Sequence, residues 1–291
     1  MTRRGFLLFG AMCVIWGVPY LMIRVAVREV SPATLVFLRA GAAALILLPL
    51  AGARGELRPV LARWRPLLAF AAIEIAIPWL ALSSAERRVS SSLAALLIAA
   101  VPFTGVAIAT VTRSSERFDL RRLAGLVVGI GGVAAIVGLD VGSTSGVGLA
   151  EMTVVVVGYA TGPWVLARYL NDLPSLGVIA VSLAASAAVY APVAAVQFPR
   201  SLPSTHVLLS IAGLALLCTA LGFVLFFELI AETGPVRATV ITYVNPAVAA
   251  LLGVAVLDEH FTAGMGFGFA LVLAGSVLAT AAARRPAAAQ T

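Results

Sequence analysis

Residues 235–283 read PVRATVITYVNPAVAALLGVAVLDEHFTAGMGFGFALVLAGSVLATAAA. Two apolar runs, 235–257 and 262–283, flank a short polar turn containing Asp258, Glu259 and His260. Each run is about the length an α-helix needs to cross the roughly 30 Å hydrocarbon core of a bilayer. Charged residues stay near the ends of the runs, so the pattern predicts two membrane helices rather than the polar-faced pair of a soluble domain.

Working outward gives ten such runs, at about 5–27, 33–50, 66–85, 90–111, 121–139, 148–167, 175–197, 206–228, 235–257 and 262–283. Spacers are short, which leaves no room for an inserted soluble domain, and residues 284–291 read as a tail. Composition agrees: 61% of the 291 residues are hydrophobic and 11% are charged, against about 25% charged in soluble domains. The fold class expected is therefore all-α and integral to the membrane, with the lipid bilayer as solvent.

Several functions drop out. The chain contains no lysine, so neither a P-loop nor Schiff-base chemistry is available. The net charge of +7 sits in short arginine clusters between apolar runs, not along one solvated face, which argues against nucleic acid. Cys13 and Cys218 lie inside apolar runs, and no His/Cys/Asp grouping has metal-ligand spacing, so no metal or cofactor is expected. Ser90-Ser91-Ser92 has no histidine beside it at membrane depth, which disfavours an intramembrane enzyme. Thr2-Arg3-Arg4-Gly5-Phe6-Leu7-Leu8 resembles a twin-arginine export signal. The apolar stretch behind it runs on to Ile23, long enough to be retained as a first helix.

Arginine placement sets an orientation. With a cytoplasmic N-terminus, Arg3, Arg4, Arg54, Arg58, Arg63, Arg65, Arg113, Arg117, Arg121, Arg122, Arg168, Arg237, Arg284 and Arg285 fall inside. Only Arg28, Arg87, Arg88 and Arg200 fall outside. An even number of spans returns the C-terminus to the cytoplasm as well.

A repeat divides the spans. Glu116-Arg117-Phe118 precedes the fifth run and Glu259-His260-Phe261 the tenth; glycines follow at the same offsets, Gly125 and Gly132 in one copy, Gly268 and Gly275 in the other. Pro102 and Pro246 lie upstream at nearly equal distances. The halves expected are 1–140 and 148–283. Five spans per half is odd, so the second half enters from the opposite face, which is the inverted architecture of secondary transporters around a midplane site. Gly125-x-x-x-Gly129 and Gly264-x-x-x-Gly268 would let helices approach closely, within one chain or between two; a homodimer stays open.

On Trp16-Gly17, Leu38-Arg39, the stretch from Pro102 through Glu116-Arg117 to Gly125 and Gly132, and its copy from Asn245-Pro246 through Glu259 to Gly268 and Gly275, the sequence resembles the EamA-type branch of the drug/metabolite transporter superfamily. The resemblance spans nearly the whole chain. It implies ten helices and transport of a small solute across a bacterial-type inner membrane, and it is similar in layout to amino-acid and metabolite exporters, including aromatic amino-acid exporters.

The substrate-binding candidates are Trp16, Tyr20, Trp79, Ser83, Phe103, Trp164, Tyr243, Asn245 and Pro246. Aromatic rings at mid-span favour packing or a cavity over the interfacial belt. Trp79 and Trp164 stand beside Pro78 and Pro163, where an interrupted helix leaves backbone groups to be satisfied within the protein. Phe103 and Tyr159 fit packing more readily. Asn245 reads as a pore-lining amide, with a helix–helix hydrogen bond as its alternative. Glu74, deep in the third run, is a candidate proton-coupling carboxylate or a partner for Arg39. Arg39, Glu116 and Glu259 read as structural, the two glutamates as caps on the helices they precede. Pro19, Pro78, Pro102, Pro163 and Pro246 are candidate breaks. With no basic cluster at mid-depth, zwitterionic or amphipathic solutes fit better than phosphorylated ones. The function expected is outward movement of small metabolites, foremost neutral and aromatic amino acids, with drug or amphipath export as the alternative.

Overall fold

The computed structural model describes residues 2–111, 120–138, 145–234, 238 and 240–280. The expectations placed on Arg113, Glu116, Arg117, Arg237, Arg284, Arg285 and the tail lie outside them. Every regular element among the described residues is helical. Among the described residues, seven helices are long and apolar enough to cross a membrane: Arg3–Ala26, Pro32–Ala53, Trp64–Ala85, Ser91–Ile108, Gly146–Tyr169, Ser175–Gln197 and Thr205–Thr233. Three of the expected runs form shorter apolar helices, Leu123–Val137, Ile241–Leu257 and Ala263–Ala279. Asp258 ends the second of these in a left-handed conformation, φ 55°, which a non-glycine residue seldom adopts inside regular structure.

Local chemistry sets the helix starts. Hydroxyls of Thr2, Ser31, Ser90 and Thr262 accept the N–H groups of Gly5, Thr34, Leu93 and Met265, satisfying donors that the first turn leaves open. Pro19 begins a new helical stretch after the turn at 16–18, and Pro102 is the second residue of the helix that starts at Val101 after 99–100, whereas Pro163 and Pro246 lie inside continuous helices. Two stretches are π-helical, Ala71–Ala76 and Gly213–Leu221.

Helices pair in a definite pattern. Pro32–Ala53 packs along Ser175–Gln197, Leu120–Gly138 along Ala263–Thr280, and Ser91–Ile98 along Ile241–Leu257. Arg3–Ile15 packs on Gly222–Thr233, and Ile77–Ala85 on Gly146–Tyr169. The glycines of the two motifs meet within this chain: a methyl group on Gly132 would lie 2.6 Å from the Val272 amide nitrogen, and one on Gly275 would lie 2.6 Å from Gly129 Cα.

Polar ties gather at two ends of the bundle. At one end Arg4 pairs with Glu228, Arg63 binds Asp172 through two hydrogen bonds of 2.6 and 2.7 Å, and Glu56 accepts the Gly177 N–H at 2.8 Å. At the other, Glu29 accepts the Ser204 N–H at 2.7 Å, Arg88 pairs with Glu151 at 2.9 Å, and Glu259 accepts from Ser91 and Ser92.

Candidate functional site

The π-helical stretches shape the interior. Pro78 has no N–H to donate, so the turn before it cannot close in the ordinary way, and the wider π turn occupies Ala71–Ala76. Tyr190 reaches across and donates its hydroxyl to the Ala76 carbonyl at 3.0 Å. The second stretch has no proline. There the Thr219 hydroxyl donates to the Leu214 carbonyl, five residues back, at 2.7 Å, and the Trp16 indole donates to the Cys218 carbonyl at 3.2 Å. Single π turns recur at functional sites because they re-aim side chains.

The helices that carry the two stretches meet at Arg39, through Trp79 just after the first and Thr219 within the second. Its guanidinium carbon lies over the Trp79 ring, 3.7 Å from the centroid, and Nε donates to Thr219 Oγ1 at 2.9 Å. Tyr20, Tyr159, Cys218 and Glu86 lie within electrostatic reach of it. Arg39 is only 9% exposed, and Tyr20, Trp79 and Thr219 are buried. Removing such a charge from water costs several kcal/mol, while a cation–π contact returns about 0.5–2 kcal/mol. The stack alone therefore does not offset burial.

The carboxylates of Glu74, Glu86 and Glu259 take three different places. Glu74 lies against Gly162, where even a methyl group would be 2.9 Å from Glu74 Cβ, and its Oε2 is buried without a partner. It does not pair with Arg39. Glu86 is fully buried, with no partner for either carboxylate oxygen, while Arg24 donates to its backbone carbonyl instead. Glu259 departs from the expectation that it caps its own following helix. Its carboxylate takes the N–H groups of Ser91 and Ser92 and both their hydroxyls, capping a helix of the other half, and Thr262 caps the helix that follows. Burial would raise the pKa of Glu259, but these bonds prevail and hold it below the usual carboxylate range.

Sequence comparison matches this bundle twice to one family, over residues 3–138 and again over 146–281, described as the EamA-like transporter family. The chain belongs to the EamA-like transporter family. Proteins named "uncharacterized inner membrane transporter YedA", from Escherichia coli strains K12 and O157:H7, are 28% identical to it over 94% of this chain and 90% of their own length. A solved crystal structure aligns with a TM-score of 0.66 at 19% identity, covering 96% of this chain and 97% of the other, which shows a shared fold.

Within this EamA-like transporter the candidates separate. Tyr20 and Trp79 join the Arg39 cluster, and Ser83 is buried one turn beyond Trp79. Trp16 forms a separate aromatic group with Phe223 and Phe226, at centroid distances of 5.7 and 4.6 Å. Phe103 packs its ring against Gly129. Trp164 is 49% exposed and meets Tyr169 edge-on, so it faces outward from the bundle. Buried Asn245, in the amide orientation that suits its neighbours, donates to the Cys13 carbonyl at 3.1 Å and the Ile241 carbonyl at 3.0 Å. Its amide thereby bridges helices, with Pro246 buried beside it; Tyr243 is half-buried one turn earlier.

Thr219 and Glu86 carry no mark in the sequence: one sits in an unbroken apolar run, and the other heads the loop-like Glu86-Arg87-Arg88. A cleft of about 290 Å³ opens at the Arg4 end, lined by Arg54, Phe227, Glu228 and Glu232, and another of about 630 Å³ at the Glu151 end, lined by Ser31, Ile77, Arg87 and Tyr190. Neither is lined by Arg39, Trp79 or Thr219.

Proposed function

We propose that the protein is a secondary transporter or facilitator that carries small metabolites, foremost neutral and aromatic amino acids, outward across the inner membrane by alternating access. The observation that carries this reading is the Arg39–Trp79–Thr219 cluster, a buried cation with aromatic walls assembled from helices of both sequence halves. Ionisable groups at membrane depth mark solute or ion pathways. The clefts at opposite ends of the bundle suit two access routes to one interior site. The family membership supports transport, and the name of the YedA relatives supports the inner membrane.

Ten spans in two inverted halves fit the helix pairing. Exchanging the halves turns the Pro32–Ala53 and Ser175–Gln197 pair into itself, and likewise the pair Leu120–Gly138 and Ala263–Thr280. The two π-helical stretches fall in the third helix of each half. The end carrying Arg3, Arg4, Arg54, Arg58 and Arg63 then faces the cytoplasm. In this mechanism one half rocks against the other, opening the Arg39 cluster to each cleft in turn.

Proteoliposome counterflow with labelled neutral and aromatic amino acids, with and without a pH gradient, tests the reading. Saturable exchange of aromatic amino acids is expected. The aromatic group around Trp16 favours amphipathic drugs as a second cargo class, and exchange of a lipophilic cation in place of amino acids would establish it.

A further inference from the structure

We propose that the outer edge of the Arg39 guanidinium is the binding point for a carboxylate on the transported solute, so that the cargo class is carboxylate-bearing and simple amines are refused. This rests on the transporter reading and adds the chemical group that the site selects.

Four observations fix the guanidinium in one pose. Its face is covered by Trp79, 3.7 Å from the ring centroid. Its Nε is committed to Thr219 Oγ1 at 2.9 Å. The Thr219 hydroxyl proton is itself donated to the Leu214 carbonyl, so the oxygen presents a lone pair to Arg39 and cannot turn away without losing that bond. The side chain is nine-tenths buried. A guanidinium carries five N–H donors, and Thr219 takes one. Among the described residues, neither terminal nitrogen has a hydrogen-bond or ion-pair partner.

The protein's own carboxylates do not supply that partner. Glu86 stands within electrostatic reach, yet both its oxygens are unbonded, and Glu74 is turned against Gly162 with Oε2 unbonded. The edge left over is the planar fork that matches a carboxylate through two parallel hydrogen bonds. Lysine, absent from this chain, offers no such fork. Trp79 supplies an aromatic wall on the guanidinium, and the tyrosines at 20 and 159 lie within electrostatic reach of it, which suits a carboxylate attached to an aromatic or aliphatic body.

The test is competition against uptake of radiolabelled L-phenylalanine into proteoliposomes by three unlabelled probes: L-phenylalanine, 3-phenylpropionate and phenethylamine. The two carboxylate probes should compete at least about tenfold more strongly than the amine, a difference of about 1.4 kcal/mol. In Arg39→Lys the charge remains and the fork is lost, so KM for phenylalanine should rise and the preference for acid over amine should shrink. Arg39→Gln should remove the preference. Thr219→Val, which frees Nε but leaves the charge, should weaken it, and a monodisperse elution profile shows that each variant is folded. Equal competition by amine and acids in the unaltered protein overturns the carboxylate assignment while leaving transport intact. Failure of the folded protein to move labelled L-phenylalanine or any other labelled amino acid overturns the amino-acid transport reading and the assignment with it.

Discussion

The Glu259 carboxylate accepts the backbone N–H of Ser91 at 2.7 Å, joining the turn after one helix to the first turn of another, 168 positions earlier in the chain. Ser92 adds its N–H at 2.9 Å and its hydroxyl at 2.6 Å to the same carboxylate. An anion at a helix N-terminus is favoured by unsatisfied amides and by the helix dipole together. One side chain thus closes a helix start and pins the two sequence halves to each other.

Glu259→Ala should therefore destabilise the protein by about 1–2 kcal/mol, the range of a lost N-cap, seen as a lower midpoint in thermal unfolding in detergent. The folded pKa is depressed, so its contribution is present above the ordinary value of 4.5 and disappears as pH falls through the lower folded value. The gap between the original and altered proteins should narrow below about pH 4.5. An unchanged gap across that window would show that charge is not what Glu259 supplies.

Gly132→Leu and Gly275→Leu should each disrupt the seam between Leu120–Gly138 and Ala263–Thr280. The nearest atoms at both positions belong to the backbone of the facing helix, joined at Gly132 by the Val272 side chain. Overpacking of this kind costs about 1–3 kcal/mol for a single added group, and a leucine adds more. Loss of the monodisperse species is expected on size-exclusion chromatography. Gly131→Leu is the control, because no atom lies within 4 Å of that position, and it should behave as the original protein does.

The seam shows what the sequence could convey. Helical runs and the glycine register were legible because each is a local pattern with a fixed spacing. Trp79 and Tyr20 were legible as mid-span aromatics. Thr219 was not, because the π turn that aims it arises within the uninterrupted apolar run Gly213–Leu221, with no proline to mark it. Glu86 was hidden for the opposite reason, since two neighbouring arginines gave it the look of a solvated loop. Glu259 was identified as a cap, but its partner lies on a distant helix, and no spacing rule reports a contact across halves.

Arg63 and Asp172 offer a contrast in magnitude. Their two hydrogen bonds form a well-shaped fork, yet the side chains are 45% and 54% exposed. Exposed ion pairs contribute about 0–1 kcal/mol, so Arg63→Ala should shift the thermal midpoint by only a degree or two. A larger loss would mean that the additional bond from Arg63 to the Tyr169 carbonyl, 3.0 Å, holds the end of the Gly146–Tyr169 helix.

Glu74 offers the test of coupling. A carboxyl at this depth, with one oxygen unbonded and its flank closed by Gly162, can take up and release a proton only if some stage of the cycle opens it to water. Glu74→Gln keeps the shape and removes the proton exchange. In proteoliposomes it should retain counterflow, which needs no driving gradient, and lose acceleration by an imposed pH gradient. Gly162→Ala should act on the same group from the opposite side, since the added methyl overlaps the carboxylate and forces it to turn; it should impair gradient-driven movement more than exchange. Equal pH dependence in Glu74→Gln and the original protein would remove Glu74 from the coupling path. Glu86 would then be the next group to test: fully buried, with both oxygens unbonded and Arg24 on its backbone carbonyl, Glu86→Met should raise the thermal midpoint, since an apolar side chain there removes an uncompensated buried group, and only a concurrent fall in gradient-driven movement would assign that carboxyl to transport.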